Sequence, residues 1–395
     1  MNYNFELSIF NFGLLSLPKY QLISKFTFII SLLLLNSCKQ SGKTTNKISP
    51  ASTFKYAQHI HLKDYGKFQL LKITGAYPGA PDYKYILKKS GVALPDSLKS
   101  YQVIQIPLNN IVVTSTTHLT PLKILGLQDK LIGFPNASYI SDPKFRQLIK
   151  SGNIQEIGSG RQINTEKLLM LHPDLLMQFS SGPGQNNDEI FIKNGIPVLY
   201  NADWMEQNPL GRADWLKLFG LLFGKEKQAD SVFEQIESRY LKIKQQIDTI
   251  SQKPLVFQGG MFGDKWFVPG GKSYAAQLIK DAGGQYIWQD DTHSGSVTLN
   301  FENVLLQLPK ADVWLNPGIL ISKEAIAKEI PAAKSFKSFK NNRIYTYNLT
   351  RGPGGGVLYF EESNAYPDKV LSDLFYIFHP DQLPGYHFYF YSIVR

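Results

Sequence analysis

Between Asn110 and Asn201 short apolar runs alternate with stretches whose apolar residues recur every three or four positions. In order they are NIVVTS, LTPLKILGL, LIGF, DPKFRQLIKSG, a short IQEIG, TEKLLML, DLLMQF, EIFIKNG and PVLYN. The short runs read as strands buried on both faces and the periodic stretches as helices, which predicts a parallel sheet covered on both sides. The pattern resumes after residue 252 with PLVFQGG, SYAAQLIKDAGG, FENVLLQLP, ADVWLNPG and RIYTYN. Ahead of both, KFQLLKITG, YKYILKK and YQVIQIP are short alternating strands punctuated by Gly and Pro, a β-rich extension laid on the first lobe.

Between the two α/β patterns the rhythm changes. After RADWLKLFGLLFG, the segment KEKQADSVFEQIESRYLKIKQQIDTIS contains no Gly or Pro and places Ala229, Val232, Phe233, Ile236, Tyr240, Ile243 and Ile247 at helical spacing. About 26 residues at 1.5 Å each predict a helix of about 39 Å, long enough to cross a domain boundary. The expected architecture is α/β: two Rossmann-like lobes, residues 54–210 and 253–395, joined by a single long α-helix within 211–252.

The N-terminus sets the compartment. FTFIISLLLL, residues 26–35 behind Lys25, is too short to span a bilayer and fits the core of a signal peptide over residues 1–37. The following LLNSC ends in Cys38, the only cysteine, so no internal disulfide or multi-cysteine metal site is available. LLNSC resembles a bacterial lipobox, which implies lipidation of Cys38, a periplasmic location and a membrane anchor; a chance cysteine behind a signal peptide is the alternative. KQSGKTTNKISPAST, residues 39–53, reads as a flexible tether over 38–53.

A net charge of +10 invites a nucleic-acid partner, yet Lys and Arg are interspersed with acids and form no basic run. We therefore expect none. Several catalytic patterns also fail. The Gly-Lys-Ser of PGGKS lacks the glycine a phosphate loop requires, because Trp266 stands there. There is no G-x-S-x-G and no HExxH; His59 and His61 are close-spaced, and His118 and His293 could contribute to a zinc or manganese site only with further ligands.

Candidate chemistry gathers in the loops after the strands, where ligands of parallel sheets bind. In the first lobe these are Thr116 and Thr117 of TSTTH, Arg161 of GSGRQ, Ser181 of SSGPG and Trp204 of NADWMEQNP. Arg212 follows, and the second lobe offers Trp266 and Tyr274 of GDKWFVPGGKSY, Trp288, and Arg351 of NLTRGPGGG. Any of these loops could be a capping turn, and each aromatic suits a core as well as a cleft wall.

One phrase occurs twice. EKLLMLHPDLL begins at Glu166, and FENVLLQLPKADVW carries Glu302 in the same place at the head of an apolar helix. With NIVVTSTTHLTPLKILGLQDKLIGF, the DAGGQY turn and the closing NNRIYTY, this ordered set resembles the solute-binding proteins of ABC importers for iron-siderophores, haem and cobalamin. The resemblance spans about residues 109–350. It implies a two-lobed binding protein and not an enzyme, with no resident cofactor, a metal chelate as ligand, and a permease dimer as partner. It also implies that Glu166 and Glu302 each dock on one permease subunit. The arginines lean towards an anionic ferric chelate, with cobalamin and haem left open. A zinc or manganese binder and a surface-anchored α/β enzyme remain as alternatives.

Overall fold

A computed structural model of the protein describes residues 54–159, 162–183, 188–263 and 265–395, with Ser159 as backbone only. The first lobe is built on a five-stranded sheet, parallel throughout. Its order is Val198–Tyr200, Leu176–Gln178, Ile111–Val113, Leu131–Phe134, Gln155–Glu156. The three strands Ile111–Val113, Leu176–Gln178 and Val198–Tyr200 are buried at every position, as continuous apolar runs between two helical layers should be.

The β-rich extension forms a separate four-stranded sheet, Ile60–Asp64, Phe68–Ile73, Tyr83–Lys88 and Gln102–Gln105. Two polar side chains pin it to the edge strand of the lobe: the Tyr85 hydroxyl accepts from the Tyr200 N–H at 3.2 Å, and Gln102 Oε1 accepts from the Val198 N–H at 2.8 Å.

The second lobe repeats the theme with the order Gln285–Tyr286, Leu255–Gln258, Val313–Leu315, Ile344–Thr346, Ser392–Ile393. The last strand is antiparallel and comes from the C-terminus. A three-stranded antiparallel sheet, Gly260–Phe262, Lys265–Pro269 and Ser296–Leu299, is added to this lobe and was not legible as strands in the sequence.

The connecting segment corrects the expected length. Residues 211–252 do not form one helix: Pro209–Asp214, Leu216–Phe223 and Glu226–Gln246 are distinct, and Gly224 takes a left-handed φ of 66° that ends the second. Glu226–Gln246 has 21 residues, about 31 Å. It buries Ala229, Phe233, Ile236 and Tyr240 and packs against Leu216–Phe223 and against the C-terminal helix Pro367–Phe378.

A second tie joins the lobes. After Ile344–Thr346 the chain passes back to the first lobe, where Gly354 and Gly356 press on the carbonyls of Ser138 and Tyr139. A Cβ on Gly354 would stand 1.5 Å from the Ser138 oxygen, and one on Gly356 2.1 Å from that of Tyr139. The short helix Leu358–Glu362 then fixes the strap. The Glu361 carboxylate accepts the N–H groups of Ser141 at 2.7 Å and Asp142 at 3.3 Å, the Glu361 carbonyl accepts from Thr120 Oγ1 at 2.8 Å, and Lys123 donates to Glu362 at 2.8 Å.

Candidate functional site

The strand ends of the two lobes meet around Arg212. Its Nε donates to the Glu206 carbonyl at 3.0 Å, one terminal nitrogen to the Trp204 carbonyl at 2.9 Å and the other to Asn364 Oδ1 at 3.1 Å. The Cζ of the guanidinium lies over the Tyr274 ring, 3.7 Å from its centre. Asn364 in turn donates to Asp203 at 3.1 Å. Arg212 therefore holds first lobe, strap and second lobe together, and its donors point at protein acceptors.

Tyr274 opens the helix Tyr274–Asp281, which Ser273 caps by accepting the Ala276 N–H. Its ring is almost fully buried and its hydroxyl has no hydrogen-bond partner among the described residues. Burial pushes the phenol up to about 12, with Arg212 opposing the shift. Above this pair a cavity of about 470 Å³ opens in the second lobe. It is lined by Gln258, Met261, Phe262, Phe267, Asn316, Ile319, Tyr347 and Asn348 together with Arg212 and Tyr274.

The other candidates divide. Trp204 is half-buried beside the junction, faces Phe179 at 5.5 Å between ring centres and donates its indole N–H to the Ala76 carbonyl at 3.2 Å. Thr116 and Thr117 sit in the turn after Ile111–Val113. Ser115 caps that turn by accepting the Thr117 N–H and lies 2.9 Å from the Thr117 hydroxyl, while the Thr116 hydroxyl donates to the Phe360 carbonyl at 3.5 Å. They serve first as turn and strap contacts. Ser181 is half-buried in the turn after Leu176–Gln178.

Trp266 does not line the cleft. It is fully buried, packed on Phe257 and Trp314 beneath the antiparallel sheet. Strand alternation gives the reason: Trp266 and Val268 face the core, so Phe267, one position along, faces the cavity, 42% exposed. Trp288 is likewise a packing residue, half-buried against Phe257 and Tyr286. Arg351 is exposed but donates to the carbonyls of Asn348 at 2.7 Å and Gly355 at 3.1 Å, so it shapes the start of the strap. Arg161 and Cys38 lie outside the described residues.

His118, considered in the sequence only as a conditional metal ligand, is a core residue. It is fully buried, neither ring nitrogen has a partner among the described residues, and burial lowers its pKa to about 4, with the nearby Asp203 carboxylate opposing. His293 is mostly exposed and bound to Asp291, and no group of three metal-ligating side chains stands together among the described residues. A larger cavity, about 890 Å³, is bordered by Tyr240, Lys244, Lys253, Gln277, Lys280 and Asp281. It opens beside the long helix and shares no lining residue with the cleft, where the strand-end loops converge, so we place the site at the smaller one.

Glu166 and Glu302 have matching settings. Helix Thr165–Leu171 is capped by Asn164, which accepts the Lys167 N–H, and helix Phe301–Leu305 by Asn300, which accepts the Asn303 N–H. In each, the Glu is the second residue of the helix and exposed, while the residue two further along, Leu168 or Val304, is buried. Neither carboxylate has a hydrogen bond or ion pair among the described residues.

The profile of the family described as periplasmic binding protein matches residues 111–348. An uncharacterised lipoprotein of Methanocaldococcus jannaschii is 26% identical over 360 residues, covering 84% of this chain and 83% of the relative. The periplasmic heme-binding protein HutB of Vibrio cholerae superposes with a TM-score of 0.51 at 16% identity, covering 67% of this chain and 99% of its own. An ABC-type Fe3+-hydroxamate transport system protein of Saccharomonospora viridis superposes with a TM-score of 0.52 at 16% identity, covering 69% and 93%. These two likenesses carry the two-lobed α/β fold.

Proposed function

Because the chain belongs to the periplasmic binding protein family, we propose that it captures a metal chelate of the siderophore, haem or corrinoid class in the cleft above Arg212 and Tyr274. It delivers this cargo to the permease dimer of an ABC importer and catalyses no reaction. Tethering through Cys38 keeps it at the membrane where the permease sits.

The observation that carries this reading is the paired presentation of Glu166 and Glu302. A lone Glu in a first helical turn is explained by the helix dipole, worth about 0.3–1 kcal/mol. That account does not require the same cap, helix position and exposure in both lobes. A two-fold permease presenting one basic socket per subunit does, with each charge-assisted contact worth about 2 kcal/mol or more when docking excludes water.

The test is the Glu166→Ala, Glu302→Ala double variant. It should keep wild-type chelate affinity and melting temperature and fail to stimulate the transporter's ATPase. Loss of chelate affinity with docking intact would assign these acids to the cleft and end the proposal. For the tether, Cys38→Ala should move the protein from the membrane pellet to the soluble periplasmic fraction.

A further inference from the structure

The charge of the cleft is informative. Of the residues lining the 470 Å³ cavity only Arg212 is charged, and its guanidinium is engaged by three acceptors and the Tyr274 ring. On the first-lobe side three described charged groups are also occupied. Arg146 donates to the carbonyls of Ser138 and Ile140, Asp188 accepts from Gln178 and Tyr200, and buried Glu206 accepts from Gln58, His59 and Trp215.

What the cavity does offer is apolar surface and neutral amides. In the hairpin register Phe262 pairs with Lys265 and Gly260 with Phe267, so Phe262 and Phe267 share the sheet face opposite Trp266, with the exposed Lys265 on the same face outside the cavity lining. Phe262 is 71% exposed, and Ile319 across the cavity 73%. Ser296 joins the same face, and Gln258 supplies an uncharged amide, while Asn316 is held by Tyr391 and the Tyr347 N–H and Asn348 donates to the Gly318 carbonyl.

Resting on the solute-binding reading above, we infer that this cleft takes a chelate that is uncharged over the face entering the second lobe. That face is apolar, with amide- or hydroxamate-type groups at its rim. Burying a carboxylate or catecholate inside that lining would strip its hydration and return no cation from it, because the one lining guanidinium is already committed. This runs against the leaning towards an anionic ferric chelate drawn from the basic balance and from Arg161, Arg212 and Arg351: Arg212 and Arg351 are bound to protein acceptors, and Arg161 lies outside the described residues.

The test uses the mature full-length protein and matched pairs of probes, read by tryptophan fluorescence and calorimetry. The pairs are cyanocobalamin against its monocarboxylic acid, haem dimethyl ester against haem, and a neutral ferric trihydroxamate against an anionic ferric triscatecholate. In whichever pair binds, the uncharged member should bind about tenfold tighter or better, with Kd unchanged between about 50 and about 500 mM NaCl. Phe267→Lys, on an exposed position of the cavity wall, should narrow or invert that preference. Tighter binding of the anionic member, weakening with salt, overturns the inference and leaves the solute-binding reading standing. Silence with all six probes overturns both.

Discussion

Arg212 and Tyr274 come from different halves of the molecule, yet the guanidinium of one lies 3.7 Å from the ring centre of the other. Three further contacts to Trp204, Glu206 and Asn364 fix the orientation of that guanidinium. Lysine could supply the charge but not the planar fork. Arg212→Lys should therefore cost about 2 kcal/mol or more in urea denaturation, nearly as much as Arg212→Ala. Recovery of wild-type stability by the lysine would show that charge alone matters here.

Neighbouring aromatics on one strand should respond oppositely. Trp266→Ala removes a fully buried indole and should cost about 3–5 kcal/mol. Phe267→Ala, on the cavity face, should change stability by less than about 1 kcal/mol and weaken chelate binding. Denaturation midpoints and binding isotherms of the two variants separate these roles.

His118 makes stability pH-dependent with a defined sign. Its folded pKa is lowered to about 4 from 6.5, so the folded state favours the neutral ring. The unfolded chain binds the proton first, and stability is lost as pH falls from 6.5 towards 4. The loss from this residue should approach roughly 3 kcal/mol. Glu361 and Asp373, whose carboxyls burial holds above the usual range, act in the opposite direction as they protonate. Urea titrations at several pH values should show the loss in the wild type and a shallower one in His118→Asn.

The strap should keep the cleft from opening or closing widely. With the helix Glu226–Gln246 and the Glu361 contacts acting as two ties, scattering profiles with and without saturating chelate should nearly superimpose. A clear fall in radius of gyration would count against this picture.

Gly354→Ala tests the strap directly, because the new methyl group would meet the Ser138 carbonyl. It should destabilise by about 1–3 kcal/mol and raise amide exchange at Ser141 and Asp142, whose N–H groups the strap covers. Unchanged exchange at those two amides would mean that the strap is not what protects them.

The sequence alone determined most of the local elements of the two α/β sheets and their order. Apolar runs such as IVV and VLY between turn residues fit strands buried on both faces, and Asn164 and Asn300 cap helix starts by chemistry confined to four residues. The repeated Glu phrase was legible for the same reason, since caps and helix faces are short-range properties. Tertiary structure decided what depends on distant partners. Whether Trp266 or Phe267 faces the cavity turns on which side of its strand the core lies, and a period of two does not specify that. Whether Arg212 and Arg351 are free to meet a ligand depends on carbonyls and rings brought near them only by folding. The strap is the extreme case: RGPGGG reads locally as a turn, and Gly354 and Gly356 are required because Ser138 and Tyr139, more than two hundred residues earlier in the chain, occupy the space a side chain would need.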